Sequence, residues 1–111
     1  IEGHLMAIEL NGSNFNSTVK ESDKPVIIKA FATWCGPCQQ MIPIFEEIEK
    51  EFEGRCTFAE LDVDNARELA IELGITSVPT IIFYKNGDIV NKEVGYLSKD
   101  DLHNKIDAFI K

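Results

Sequence analysis

The sequence predicts an α/β domain with a mixed sheet of about five strands and helices on both faces. Three observations carry that prediction. Two short apolar runs, Val26 to Ala32 (VIIKAFA) and Thr57 to Val63 (TFAELDV), flank a helical stretch with one apolar face. Strand, helix, strand at this spacing is a βαβ unit, which implies parallel neighbours and a right-handed crossover. Beyond it, Asn86-Gly87 separates two further strand-like runs, and the chain closes on a second amphipathic helix. The order is βαβαββα, an arrangement that buries a mixed sheet between helices.

The elements follow in order. Ile1-Glu2-Gly3-His4-Leu5 precede Met6 and read as the remnant of a protease-site tag, so residues 6–111 are taken as a single domain. There is no basic segment followed by an apolar one, hence no visible secretion signal. A short strand near Ile8 and a helix around Phe15 to Val19 are expected first. The Val26 run is β-branched and short, as a buried strand should be. Met41, Phe45, Ile48 and Phe52 then recur at helical spacing, while Glu46, Glu47, Glu49, Lys50 and Glu51 are assigned to the solvent side. After the Thr57 strand comes a helix capped near Asp64 or Asn65, with Ala66, Leu69, Ala70 and Leu73 inward, stopped by Gly74. Strands Thr80 to Tyr84 and Ile89 to Val94 form a hairpin, because both central residues of a type I′ turn need positive φ and Asn-Gly supplies them. The last helix opens at Ser98, with Asp101 three residues on, and presents Leu102, Ile106, Phe109 and Ile110 to the core.

Composition narrows the function. The chain has 111 residues, 19 acidic and 11 basic, for a formal net charge of −8. Such a field repels nucleic acid and anionic lipid, and no apolar run is long enough to span a membrane. Three cysteines are too few and too odd in number for a disulfide-stapled scaffold.

Two of those cysteines stand where chemistry is expected. Trp34-Cys35-Gly36-Pro37-Cys38 follows the first buried strand and opens the amphipathic helix. A thiol at a helix N-terminus meets the positive end of the macrodipole and free N–H groups, which favour the reactive thiolate. Cysteines spaced i, i+3 on a helical turn have Cα atoms roughly 5 Å apart, within disulfide range. So small a loop makes a poor staple and a good switch. Gly36 and Pro37 shape the turn, Pro where its missing N–H has no partner anyway. Half of a zinc site is the competing reading, but four ligands are normally needed. Cys56 and His103 lie on other elements without paired spacing, so no metal and no cofactor is expected. Cys56 is read as a small buried hydrophobe, His103 as solvated, and Phe31 as a packing aromatic.

The Trp-Cys-Gly-Pro-Cys segment resembles the active site of the thioredoxin family, and the likeness runs from about Ala7 to the end of the chain. Pro43 falls five residues after Cys38, where that family has a helix-kinking proline. Ser77-Val78-Pro79-Thr80 resembles its cis-proline loop, and Lys85-Asn86-Gly87 and Val94-Gly95 match its hairpin turn and groove glycine. Gly-Pro between the cysteines differs from the Pro-Tyr usual in glutaredoxins and the Gly-His usual in disulfide isomerase domains. The resemblance implies the thioredoxin fold and a protein disulfide reductase, an electron carrier in which Cys35 attacks a substrate disulfide and Cys38 resolves the mixed disulfide. It implies Trp34 as a lid and Val78, Pro79 and Gly95 as the groove for an extended substrate segment. The implied partners are a thioredoxin reductase and oxidised proteins such as peroxiredoxins or ribonucleotide reductase, met as a monomer in the cytoplasm. The other classes considered are a binding subunit or chaperone-like module using the same groove, and a more oxidising specialised oxidoreductase.

One departure from the family pattern matters. A buried aspartate six residues before the first cysteine is replaced by Lys29, and a lysine on the following strand by Glu60. Each charge interrupts an apolar run on strands expected to be adjacent. An isolated buried charge is costly whereas a pair can be tolerated, so Lys29 and Glu60 are expected to form a pair with exchanged positions. Either a structural role or one in proton transfer and thiol ionisation would follow from that placement.

Overall fold

In a computed structural model that describes residues 7–111, the chain forms β1 (Ala7–Glu9), β2 (Val26–Phe31), α1 (Gly36–Glu51), β3 (Thr57–Asp62), α2 (Arg67–Glu72), β4 (Thr80–Lys85), β5 (Asp88–Val94) and α3 (Lys99–Ile110). The tag reading of residues 1–5 lies outside the described residues.

The strands make one five-stranded sheet in the order β1-β3-β2-β4-β5. β1 and β2 both run parallel to β3, while β4 runs antiparallel to β2 and β5 antiparallel to β4. The three inner strands read as continuous apolar runs because each is covered on both faces. Alternate residues divide between two cores. Ile27, Phe58, Ile81 and Phe83 face Met41, Phe45, Ile48, Phe52, Leu102 and Ile106 of the α1 and α3 side. Ile28, Leu61, Ile82 and Tyr84 face Leu69, Ala70 and Leu73 of α2, with Leu10, Phe15 and Val19, on the other side. This alternation puts Lys29 and Glu60, two positions beyond Ile27 and Phe58, on the face covered by α1.

The local chemistry largely follows the sequence. Asn86 and Gly87 have φ of 54° and 84°, as the tight hairpin requires. A bulge at Val90 lets Tyr84 face Ile89 while Phe83 faces Asn91. Ser98 Oγ accepts the Asp101 N–H at 3.2 Å and caps α3. Gly74 ends α2 with φ of 72°; its N–H reaches Ile71 O and the Ile75 N–H reaches Ala70 O, a Schellman arrangement.

Three expectations need correction. The helix around Phe15 to Val19 is a single widened turn, Asn16–Lys20, in which the Glu21 N–H bonds back to Asn16 O at 2.9 Å. Neither Asp64 nor Asn65 caps α2. Asp62 at the end of β3 accepts N–H groups from both, at 2.9 and 3.4 Å, so the chain turns first and the helix starts at Arg67 behind an uncapped Ala66. Glu49, assigned to the solvent side of α1, is buried under it. Position 49 is four residues after Phe45 and three before Phe52, hence on the same stripe.

Candidate active site

β2 delivers the chain into the redox turn. Ala32 O accepts the Cys35 N–H at 3.2 Å, which ends the strand and starts a turn. Cys35 is the N-cap of α1 in an extended conformation, and its Sγ accepts the Cys38 N–H at 3.2 Å. A sulfur at this point takes a hydrogen bond that a Ser or Asp oxygen would otherwise take, and faces the positive helix end. Cys35 and Cys38 are joined as a disulfide with Cα atoms 5.2 Å apart, and both are buried. They pack with Ala32 against Phe31, Val63 and Val78. Gly36 and Pro37 open α1 beside them, exposed. A side chain at Gly36 would meet open space, so the turn does not itself require glycine.

Val78 brings a further loop against the pair. The Val78–Pro79 bond is cis, and Pro79 is buried just before β4. The Gly95 N–H donates to Pro79 O at 2.8 Å, which fixes the end of β5 beside that loop; Gly95 has φ of 100°. Trp34, 70% exposed, lies on the surface with its Nε1–H donating to Asp64 Oδ2 at 2.9 Å. Sequence reasoning missed Asp64 in this role. The signal was present: Phe31 pairs with Asp62, so residues shortly beyond each strand end must be neighbours.

Lys29 and Glu60 are direct partners in the β2–β3 register, and Lys29 Nζ lies 3.6 Å from Glu60 Oε1. Lys29 is 8% exposed. Its ammonium sits 4.8 Å from the Phe45 ring centroid and 5.7 Å from that of Phe31. Lys29, Phe31, Cys38, Gln39, Ile42 and Glu60 line one small cavity of about 60 Å³, so the charge pair and the second cysteine share a compartment behind the disulfide. That volume admits water, and the lining offers polar partners.

Glu49 extends this buried charge. It is 3% exposed, its Oε1 has no hydrogen-bond partner, and its acid is pushed up to about 7. Burial is the main cause; Lys29 opposes it, and Glu60 and Glu46 add to it.

Two other residues behave as ordinary structure. Cys56 is buried, with its thiol pushed up to about 11 mainly by burial, against Arg55 and Lys24. His103, expected to be solvated, is instead half-buried: Nδ1 lies 2.9 Å from Glu51 Oε1 and its ring centroid is 5.0 Å from that of Phe52. Among the described residues no group of three His, Cys, Asp or Glu is placed to hold a metal ion, and no helix is long and apolar enough to cross a membrane.

Comparison with known proteins agrees with this geometry. The family model "Thioredoxin" matches residues 6–108. The chain is similar to thioredoxin of Chlorobaculum thiosulfatiphilum, 37% identical over 102 residues, covering 92% of this chain and 94% of that protein. It is 35% identical to thioredoxin of Haemophilus influenzae over 103 residues, 93% of this chain and 96% of the relative. A chloroplastic M-type thioredoxin of Pisum sativum is 35% identical over 101 residues, 91% of this chain and 59% of that longer protein.

Proposed function

The chain belongs to the thioredoxin family and is a thioredoxin-type protein disulfide reductase, and on that premise we propose how its own residues divide the reaction. Cys35, as thiolate, attacks one sulfur of a substrate disulfide. A Cys35–substrate bond forms, the substrate S–S bond breaks, and the first substrate sulfur leaves as thiolate. Cys38 then loses its proton and attacks Cys35 Sγ. The Cys35–Cys38 bond forms and the second substrate sulfur departs, so two electrons pass to the substrate. Its two thiolates take up the protons.

The observation that carries this division is the placement of Cys35 as N-cap sulfur, with Cys38 one turn inside the helix. The Cys35 sulfur receives the helix field at the turn that carries the exposed Gly36 and Pro37, whereas Cys38 lines the cavity shared with Lys29 and Glu60. Glu60 is the group suited to take the Cys38 proton, directly or through a water in that cavity, with Lys29 balancing its charge. We assign Val78, Pro79, Gly95 and Trp34 to the surface that receives an extended segment of the substrate; Val78 packs against the disulfide and the Gly95 N–H is tied to Pro79 O, which supports that reading.

A disulfide reductase and disulfide-bearing proteins are the partners this chemistry needs. We assign a thioredoxin reductase to the first role and oxidised enzymes such as peroxiredoxins or ribonucleotide reductase to the second. The protein acts as a monomer, in a reducing compartment such as the cytoplasm where the dithiol can be maintained. Insulin reduction tests the assignment. Wild-type protein accelerates it, and Cys35→Ser abolishes the acceleration. Equal rates for the two would leave a binding module as the better reading. Unchanged pH profiles in both Lys29→Met and Glu60→Gln would remove the pair from proton transfer.

A further inference from the structure

We infer that Glu49 is a positioning residue of the redox site, which acts through the Lys29–Glu60 pair to set the negative charge standing behind Cys38. The inference rests on the roles proposed above for Cys38, Lys29 and Glu60.

The geometry that supports it begins with α1. Cys38, Met41, Phe45, Ile48, Glu49 and Phe52 are the inward residues of one helix, all buried. Glu49 is the only carboxylate among them, and its Oε1 is without a partner. A buried carboxyl left in that state is destabilising, which a merely structural position would avoid with an apolar side chain. Glu49 lies eleven residues beyond Cys38, about 16 Å of helix rise, so it cannot touch the thiol. Lys29 links the two: its ammonium lies against the ring of Phe45, one turn before Glu49, and with its partner Glu60 it lines the cavity that Cys38 shares.

The charged groups facing this region can be counted. β2 supplies Lys29, β3 supplies Glu60, and α1 itself supplies half-buried Glu46. On β1, Glu9 is in register with Glu60 but exposed. On α3, Lys99 engages Glu47 and Glu51, and His103 engages Glu51, on the outer side. β4 contributes only apolar Ile81 and Phe83. Among the described residues, this set therefore holds a single cation, Lys29. With Glu49 protonated, Lys29 and Glu60 cancel. With Glu49 ionised, one ammonium serves two carboxylates and the set carries a net negative charge. Cys38 then ionises less readily, and its attack on Cys35 slows. Burial keeps the proton on Glu49 up to about 7, so the change of charge falls near neutral pH.

The test follows thiolate absorbance of the reduced protein against pH in wild type, Glu49→Gln and Glu49→Asp. Glutamine fixes the neutral state. Its Cys38 titration should match wild type below about pH 6 and show a roughly three- to tenfold larger ionisation constant above neutrality, with Glu49→Asp restoring the wild-type profile. Superimposed curves for wild type and Glu49→Gln would overturn the inference. A measurement on the wild type covers the case in which the variants do not fold. With 13C-labelled glutamate, the Glu49 carboxyl should titrate at higher pH in the dithiol form, once Cys38 has ionised, than in the disulfide form; identical midpoints also overturn it. Glu60→Gln separates the two levels. If it shifts the Cys38 titration while Glu49→Gln does not, only the Glu49 inference fails. If Glu60→Gln has no effect, the pair itself is not coupled to the thiol.

Discussion

Replacing Glu49 with glutamine should make the protein more stable at alkaline pH and leave it nearly unchanged in mild acid. An unfolded glutamate loses its proton near 4.5, whereas folded Glu49 keeps it up to about 7. Between those values the native state binds more protons than the unfolded state, so stability falls as pH rises through that window and levels off above it. Each unit of displacement is worth 1.36 kcal/mol, so the full loss is about 3 kcal/mol once Glu49 is ionised. Glutamine has the shape of the protonated acid and no such loss. The difference in unfolding free energy between Glu49→Gln and wild type should therefore grow by about 2 to 3 kcal/mol between about pH 5 and about pH 8. Urea denaturation of the oxidised forms at both values measures it, and the other carboxylates cancel in the difference. If the two proteins keep a constant difference across that range, Glu49 is not a buried acid titrating near neutrality, and the charge count behind Cys38 is wrong.

Two other expectations concern residues at the edges of the site. Trp34 is the only tryptophan, and its indole donates to Asp64 at 2.9 Å. Asp64→Ala should free the ring, which lowers the fluorescence anisotropy of the folded protein at little cost in stability, because both side chains are exposed. An unchanged anisotropy would mean that Asp64 does not hold the ring. Cys56, buried and with its thiol pushed up to about 11, should resist iodoacetamide at pH 8 in the folded oxidised protein and react after unfolding in urea. Rapid labelling of the folded form would show that its burial is not maintained.

Much of this structure was legible because its signals are local or periodic. The apolar runs around a helical stripe gave the βαβ unit, and Asn86-Gly87 gave the hairpin through the positive φ that both positions adopt. The Lys29–Glu60 pair could be anticipated because two charges interrupting adjacent buried strands on one face have few other ways to be satisfied. What was missed depended on competition between neighbours. Asp62, Asp64 and Asn65 are all competent caps, and only the path of the chain out of β3 made Asp62 the acceptor. Glu49 was hidden by composition: four flanking charges made Glu46 to Glu51 look like one solvent face, although its spacing from Phe45 and Phe52 placed it inside. In that segment helical phase was the better guide than charge.

The division of labour between the two cysteines is tested most directly by trapping the intermediate. Cys38→Ser and Cys35→Ser are each incubated, reduced, with an oxidised protein substrate, and the adducts are located by peptide mass spectrometry. Cys38→Ser should accumulate a stable mixed disulfide at Cys35, since the sulfur that would release it is gone. Cys35→Ser should give almost none, because Cys38 lies one turn inside α1 with its side chain toward the cavity. A mixed disulfide at Cys38 that forms as fast in Cys35→Ser as the one at Cys35 does in Cys38→Ser would contradict the account.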